Sequence, residues 1–397
     1  MTPVEWRQLA VPLLMLIYCP LSVISWINID AQLTLHRRSM QHNYFYSTGE
    51  DEFECEDVNN NQPNKRLLVF GLGNIGTIVT RRASTVLPIN GTSAFERVYG
   101  TTRSGKEIPN VQSIQFDSYE CIRDIIPSCT HILITIPPID SESASDTTLV
   151  GGRHRKWNYF CDAVLNNPSL RLTEIAKPNT WIGFVSSTSV YGNHDGDWVS
   201  EESDVKCDPA SKYLRAENEW IDAANSCGWR LNVFRCAGLY GDGRSALHTI
   251  RKRGLQLENR TSAKKLGNPT SRIHEEDAAR AILCAMLLNN EDDGDTCVMY
   301  NLADDMPAPR SEVMAFGHEL LGALDLLPNQ KPQPAGKQPS ERDRRRKSDS
   351  KRVDNKRMKE RLLPEGLMYP TYREGLQAVL DKNRNKWRET EKLSTNL

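Results

Sequence analysis

Hydrophobic and polar positions alternate along the middle of the chain in blocks whose lengths suit strands and helices. The clearest block is Leu67–Phe70, four consecutive apolar residues that predict a buried strand. The block runs directly into the glycine-rich segment Gly71–Gly76. Beyond that segment Ile75, Ile78 and Val79 recur at helical spacing. The pattern therefore predicts a strand, a tight turn and a helix, in that order.

Similar strand-like segments follow along the chain, each succeeded by polar or helical sequence. The predicted strands are residues 67–70, 95–99, 111–116, 131–136, 181–185 and 231–234. This alternation predicts an α/β fold, a Rossmann-type doubly wound parallel sheet. A helix is predicted from an N-cap at Asp208-Pro209 to Gly228, and an amphipathic helix over Arg373–Trp387 closes the domain.

The glycine spacing in the first turn has a chemical use. Gly71 permits the tight turn, Gly73 lets a pyrophosphate approach the backbone, and Gly76 lets the helix pack on the strand. The amides at the helix start, at Asn74 and Ile75, point at negative charge. Because the motif stands between a predicted strand and a predicted helix, we predict a dinucleotide site here. A plain structural turn is the alternative.

The end of the second strand indicates which dinucleotide binds. An acid there would bind the ribose 2′-hydroxyl of NAD, but the sequence is Thr102-Arg103-Ser104. The Arg103 guanidinium matches a 2′-phosphate, and the Thr102 hydroxyl stands beside it, so we predict NADP with NAD less favoured. A solvated loop arginine is the alternative. Asp117 is predicted to contact the adenine amino group, and Pro137 and Pro138 to border the cofactor.

Composition limits the classes of partner. With 397 residues, 39% of them hydrophobic, the chain can hold one large domain or two modest ones. The formal net charge of -1 gives no reason to expect a nucleic-acid partner, although the basic run Arg344–Lys347 leaves that alternative open. The ten cysteines are scattered without zinc-site spacing, so we expect reduced thiols and no metal.

The two ends of the chain differ from its middle. Residues 9–29 carry no charge and are long enough to contact or cross a membrane as a helix. Three interpretations of this segment stay open. It is a membrane anchor with the catalytic domain in the cytosol, or an organelle-directing segment that is removed, or a buried helix. We divide the chain into a hydrophobic segment with a polar spacer, residues 1–64, and an NAD(P)-binding domain with a smaller C-terminal substrate region, residues 66–382. A flexible basic insertion is predicted at residues 330–350.

Several later segments occur in an order that resembles one known family. They are Ser186–Gly192, Arg235–Arg244, Arg272–Ala281, Tyr300–Asp305, Lys351–Arg357 and Tyr369–Leu376. With the glycine-rich turn they resemble the atypical, epimerase-like branch of the extended short-chain dehydrogenase/reductases, over roughly residues 66–380. The resemblance implies NAD-dependent epimerase/dehydratase-like chemistry on a small molecule, and it places the Lys351-Arg352 block near the substrate side of the fold.

The catalytic residues of that family are matched only in part. In active members a Ser at the end of the fifth strand orients the substrate, and a Tyr, whose pKa a Lys four residues later lowers, moves the proton. Ser187 fills the first place, and a hydroxyl that only satisfies a turn at the strand end is the alternative. The Tyr-x-x-x-Lys register falls near Pro209 and Tyr213, where neither residue type matches. Tyr213 either substitutes for the missing pair or packs, and Tyr191, which the resemblance places in the substrate pocket, has the same alternatives.

Charged side chains near the predicted strand ends divide into ligand contacts and structural supports. Arg244 lies in a Gly-rich loop, and a guanidinium matches phosphate or carboxylate, so we predict that it binds substrate. His274 precedes three acids, and a helix-cap or pocket-wall role is favoured over that of a general base. Arg235 is expected to support a loop through hydrogen bonds to backbone carbonyls.

The sequence thus predicts an NAD(P)-binding oxidoreductase or epimerase that acts on a polar carbonyl or hydroxyl substrate, nucleotide-linked substrates included. The missing Tyr-x-x-x-Lys pair supports the alternative, a catalytically inactive NADP-binding regulator or scaffold. The sequence carries no prediction of the oligomeric state.

Overall fold

The computed structural model of the protein describes residues 65–85, 95–138, 164–165, 169–209, 211–253, 268–288, 296–324, 326–327 and 350–395. The predicted hydrophobic segment at residues 9–29, the polar spacer and nearly all of the predicted basic insertion lie outside these residues. Among the helices that the structure describes, none is long and apolar enough to cross a bilayer.

The described strands build one large sheet and three small pairs. They are β1 (Arg66–Phe70), β2 (Arg97–Thr102), β3 (Gln112–Gln115), β4 (His131–Ile134), β5 (Trp181–Ser187), β6 (Trp198–Val199), β7 (Arg230–Cys236), β8 (Gly238–Tyr240), β9 (Pro269–Thr270), β10 (Arg272–His274), β11 (Cys297–Leu302), β12 (Ala308–Pro309) and β13 (Arg352–Val353). The large sheet has seven strands in the order β11-β7-β5-β4-β1-β2-β3. All of its neighbours pair in parallel.

The helices follow the strands in alternation. They are α1 (Asn74–Thr85), α2 (Tyr119–Ile125), α3 (Leu172–Ile175), α4 (Lys212–Cys227), α5 (Ala246–Arg253), α6 (Glu275–Leu287), α7 (Arg310–Gly322), α8 (Lys356–Arg361) and α9 (Tyr372–Thr395). The predicted Rossmann-type doubly wound sheet is therefore confirmed. Its strand order reverses between β1 and β4, and ligands of such sheets bind beyond the carboxyl ends of the strands at that point.

The two faces of the sheet carry separate hydrophobic cores because successive side chains of a strand point to opposite faces. In β1, Leu67 and Val69 pack into one cluster, while Leu68 and Phe70 pack into the other. A third cluster joins β8 to α5, α7 and α9 through residues such as Tyr240. This third cluster is the core of the C-terminal part of the fold.

Two details differ from the prediction. The seventh strand, β11, was missed, although Val298 and Tyr300 pack on one face of the sheet and Met299 on the other in the alternation of a strand. The predicted start of α4 at Asp208-Pro209 is wrong. The Ser211 amide donates to the Asp208 carbonyl (2.7 Å), which closes a turn before the helix begins. Its predicted end is confirmed, since Gly228 adopts φ 67° as the C-cap.

Candidate active site

A cavity of about 600 Å³ opens beyond the carboxyl ends of the central strands. Its described walls come from seven separate parts of the chain. The lining includes Gly73, Asn74 and Ile75, then Thr135 and Pro137, Val185–Ser189, Tyr213, Cys236–Leu239 with Arg244, Thr270 and Ser271, and Lys351 and Val353. The position agrees with the crevice expected where the strand order reverses.

The glycine turn, residues Gly71–Gly76, has the geometry that a pyrophosphate needs. Gly71 lies at φ 102°, and a Cβ atom on Gly76 would stand 2.0 Å from the Gly71 carbonyl oxygen. A Cβ on Gly73 would meet nothing within 4 Å, so the backbone there is open toward the cavity that Gly73 lines. The residues present therefore fit a dinucleotide, with the pyrophosphate at the start of α1.

The loop after β2 is held by side-chain hydrogen bonds. The Thr102 hydroxyl accepts from the amides of Ser104 (3.2 Å) and Lys106 (3.3 Å), while Arg103 is exposed. The ammonium of Lys106 donates to the Thr77 hydroxyl of α1 (2.8 Å). Lys106 was not predicted as a site residue. Its place three residues after Arg103, in the same loop, could have indicated a second cation there. Two cations therefore follow β2.

The remaining predicted cofactor residues take different positions. Pro137 and Ile75 line the cavity, whereas Pro138 is buried and is not among the lining residues. Asp117 is exposed, two residues after the end of β3. No cofactor contact of these residues is tested by the structure, so their roles stay predictions.

Ser187 and Tyr213 are brought together, and Tyr191 is not. The Ser187 hydroxyl accepts from the amide of Ser189 (3.1 Å) at the start of a short 3-10 turn, and Ser187 lines the cavity with Tyr213. Tyr191 is fully buried outside that lining, and its hydroxyl donates to Oδ1 of Asn301 (2.7 Å). The geometry gives Tyr191 a packing and hydrogen-bonding role.

Neither tyrosine has the lowered pKa that a proton carrier needs. Burial raises the pKa of Tyr213, and the positive charge of Arg244 only partly opposes this. Burial also raises the pKa of Tyr191, against the effect of Arg235. Both hydroxyls are therefore protonated at neutral pH.

A buried ion pair lies beneath the cavity. Arg235 donates through Nη2 to Oε2 of Glu217 on α4 (2.8 Å), and the exposed fractions of the two side chains are only 4% and 1%. Ser186 donates to the same carboxylate, and Nη1 of Arg235 donates to the Tyr191 hydroxyl (3.1 Å). The expectation that Arg235 supports a loop through backbone carbonyls is therefore wrong. The Arg235 guanidinium instead pairs with the buried Glu217 carboxylate.

The start of α6 is capped by His274, as predicted. Its Nδ1 accepts from the Glu276 amide (3.2 Å), and burial lowers the pKa of His274 to about 4. The next residue, Glu275, accepts from the Asp242 amide (2.9 Å) and from the Asn74 side chain (3.4 Å). Glu275 thereby connects the glycine turn to the loop that carries Arg244.

Lys351 is a cation that lines the cavity, and the sequence analysis assigned it no ligand contact. Its ammonium donates to the carbonyl of Gly192 (2.9 Å), 159 residues away in the chain. The expectation that the Lys351-Arg352 block lies on the substrate side stays a prediction. Within the described part of the chain, no group of three His, Cys, Asp or Glu side chains could hold a metal ion.

Comparison with known proteins places the fold. No family model and no curated protein matches the chain. Several solved structures do. A functionally unknown conserved protein from Silicibacter pomeroyi DSS is 28% identical, over 80% of this chain and 99% of that one, with a TM-score of 0.56. UDP-glucose 4-epimerase from Thermotoga maritima, solved with UDP-glucose, is 17% identical over 81% and 99%, with a TM-score of 0.57.

The chain shares the Rossmann-type fold of solved UDP-glucose 4-epimerases. UDP-glucose 4-epimerase from Thermus thermophilus, solved with NAD, agrees: it is 16% identical over 80% of this chain and 99% of that one, with a TM-score of 0.56. The predicted resemblance to the extended short-chain dehydrogenase/reductases is therefore confirmed at the level of the fold.

Proposed function

We propose that the protein binds NADP and acts as an oxidoreductase or epimerase on a polar carbonyl or hydroxyl substrate. The observation that supports this proposal is a single cavity that joins Gly73 and Asn74 of the glycine turn to Ser187, Tyr213 and Arg244. A bound nicotinamide supplies hydride transfer. The chain's own residues orient the substrate beside it and exclude water.

Each proposed substrate residue has a separate task. Ser187 offers a hydroxyl at the end of β5, where its position is held by the Ser189 amide. Arg244 offers a guanidinium for an anionic group of the substrate. Tyr213 offers the hydroxyl that the proton would pass through, and the positive charge of an oxidised nicotinamide beside it would lower its raised pKa.

The preference for NADP rests on the loop after β2. Arg103 and Lys106 add two positive charges near the start of α1, and the Thr102–Ser104 segment contains no acid that would bind a ribose 2′-hydroxyl. NAD is the alternative, since the Thermus thermophilus epimerase was solved with NAD.

Fluorescence titration of the full-length protein with NADPH and NADH tests this preference. We expect NADPH to bind at least about tenfold more tightly, and Arg103→Ala to remove most of that difference, because a hydrogen bond to a charged group contributes about 1.5–3 kcal/mol. Arg97→Ala is the matched control, an exposed arginine at the other end of β2. Equal affinities for both dinucleotides in the unmodified protein would retire the NADP assignment.

Turnover is tested first with UDP-glucose, the ligand of the Thermotoga maritima epimerase structure. Nuclear magnetic resonance would follow inversion at the sugar's C4 carbon in the presence of NADPH, NADP or NAD. Ser187→Ala and Tyr213→Phe are expected to reduce kcat by about 10²–10⁴-fold, the usual contribution of a positioned proton-transfer group.

A second candidate is a protein that retains the nucleotide without turnover, as a regulator or scaffold. The observation that favours it is the raised pKa of Tyr213, together with the lack of a lysine at the expected register on α4. This candidate predicts tight cofactor binding with no turnover, and a cofactor affinity that Tyr213→Phe leaves unchanged.

A further inference from the structure

A second cavity, of about 250 Å³, is lined by residues of both strands of the β6–β13 pair. Its described walls are Trp198, Asp304, Asp305, Val353, Asp354 and Asn355. Three of these six residues are aspartates, and none of the six is a lysine, arginine or histidine. Val353 also lines the first cavity, so the two cavities are neighbours. At this size the second cavity suits a small ligand and not a whole dinucleotide.

The most deeply buried acid of this wall is Asp304, with an exposed fraction of 1%. Its amide donates to the Arg272 carbonyl (2.6 Å), and its Oδ1 accepts from the Met306 amide (3.3 Å). Its Oδ2 is buried and has no hydrogen-bond partner in the protein. The Arg272 guanidinium donates instead to the carbonyls of Thr270 and Ala308. A buried oxygen without a partner is unfavourable, and Oδ2 is the Asp304 oxygen left for a donor in the cavity.

The amide side chain of the wall is also an acceptor. Nδ2 of Asn355 uses both of its hydrogens within the protein, on the Ala303 carbonyl (2.9 Å) and on Oδ1 of Asp305 (2.7 Å). Asn355 therefore offers a ligand only its oxygen. Lys359 pairs with Asp305 at 3.0 Å and offsets that charge, but no ion pair within the described part of the chain involves Asp304. The wall thus calls for a ligand that donates hydrogen bonds.

The aromatic part of the wall narrows the class of ligand. Trp198 is 57% exposed, although an indole is a large apolar group. Indole faces attract organic cations. A metal ion is not favoured, because no group of three His, Cys, Asp or Glu side chains among the described residues could hold one. Carboxyl oxygens and an indole together suit a cation that carries both N–H groups and carbon.

We propose that the second cavity binds a small organic ammonium ion, whose N–H groups donate to Oδ2 of Asp304 and whose carbon atoms contact Trp198. Neither residue is among the described lining residues of the first cavity, so this site stands or falls independently of the proposed function.

Calorimetric titration of the full-length protein with propylammonium chloride tests the proposal, and 1-propanol is the uncharged reference of similar shape. We expect propylammonium to bind and 1-propanol not to bind. Asp304→Asn keeps the size of the side chain and removes its charge, so it should weaken binding at least about tenfold. The matched control is Asp197→Asn, which changes an exposed acid next to Trp198 in the chain but outside the described lining, and should change affinity less than about twofold.

Trp198→Ala tests the aromatic contact. The indole is exposed, so the variant should keep its fold and decides the matter if Asp304→Asn does not fold. Affinity should fall about twofold to fivefold, the contribution of an exposed cation–π contact. The proposal is overturned if propylammonium does not bind, if 1-propanol binds equally well, or if both variants bind as the unmodified protein does. Binding of Mg²⁺ that displaces propylammonium and needs Asp304 would assign the site to a metal ion instead.

Proton release is a readout that a merely structural role of Asp304 would not give. Burial raises the pKa of Asp304 to about 8; Arg272 opposes the rise, while Asp305 and Asp277 add to it. The phenol of Tyr240 also interacts with this carboxyl. A bound cation favours the ionised carboxylate, so binding at pH 7 should release close to one proton.

The apparent affinity should rise with pH between 6 and 8, by up to about tenfold per pH unit, because propylammonium keeps its charge over this range as a lysine does. Titration in two buffers of different ionisation enthalpy counts the protons released. Binding without proton release would contradict the contact with Asp304.

Discussion

The two halves of the proposed site, one for the cofactor and one for the substrate, are built in opposite ways. The cofactor half is the glycine turn with the loop Thr102–Lys106, two short segments that follow neighbouring parallel strands. The substrate half is the wall formed by Ser187, Tyr213, Arg244 and Lys351, which come from four distant segments. The first half depends on local backbone geometry, and the second depends on which side chains the tertiary structure brings together.

The largest expected effect is on stability, through the buried Arg235–Glu217 ion pair that supports the substrate half. Arg235→Met should lower the free energy of unfolding by about 3–5 kcal/mol, because it leaves the Glu217 carboxylate buried without its partner. Urea denaturation measures the loss. The double variant Arg235→Met with Glu217→Met should recover most of this loss. If the double variant is as unstable as the single one, the loss of stability does not come from the unpaired Glu217 charge.

The next largest effect is in the glycine turn. Gly76→Ala should cost about 1–3 kcal/mol in unfolding free energy, because its Cβ would stand 2.0 Å from the Gly71 carbonyl oxygen. Gly73→Ala is the matched variant, whose Cβ meets nothing within 4 Å, so stability should change by less than about 0.5 kcal/mol.

The two glycine variants also separate folding from cofactor binding. Gly73→Ala should weaken NADPH binding about tenfold while the Tm stays unchanged, because the new methyl group occupies the approach of the pyrophosphate. Unchanged NADPH affinity in a folded Gly73→Ala protein would contradict the placement of the pyrophosphate.

A smaller effect depends on pH. The folded-state pKa of His274 is about 4, below its ordinary value of 6.5, because the ring is buried. Between pH 6.5 and 4 the unfolded chain binds more protons, so this residue's contribution to stability falls as the pH falls, by up to about 1.4 kcal/mol per pH unit.

His274→Asn keeps a capping acceptor without a titrating ring and should flatten the decline in thermal melts. The acids nearest to the ring are Glu276 and Asp277, and Lys382 opposes them. An equal slope in both proteins would assign the acid sensitivity to other groups.

The smallest effect on stability and cofactor affinity is expected for Tyr213→Phe. It removes one oxygen from the cavity wall, so NADPH affinity should stay within about twofold and stability within about 0.5 kcal/mol. Fluorescence titration and thermal melts measure both quantities. A large loss of cofactor affinity would place Tyr213 in the cofactor half instead.

Local features were readable before the structure. The strand, turn and helix at Leu67–Ile78 follow from hydrophobic spacing and three glycines, because neighbours in the chain determine backbone geometry. The His274 cap was likewise readable from the acids that follow it. The seventh strand was missed, although its residues alternate between the two cores.

By itself, the sequence determined the alternating strands and helices that predict the sheet, the glycine turn and the place of Ser187 at the end of β5, since each depends on residues close together in the chain. Only the tertiary structure decided that Arg235 pairs with Glu217, that Tyr191 is buried, and that Lys351 contacts Gly192 across 159 residues. The physical reason is that a charged side chain takes the partner that strand order and loop packing bring within reach, and no local pattern encodes that partner.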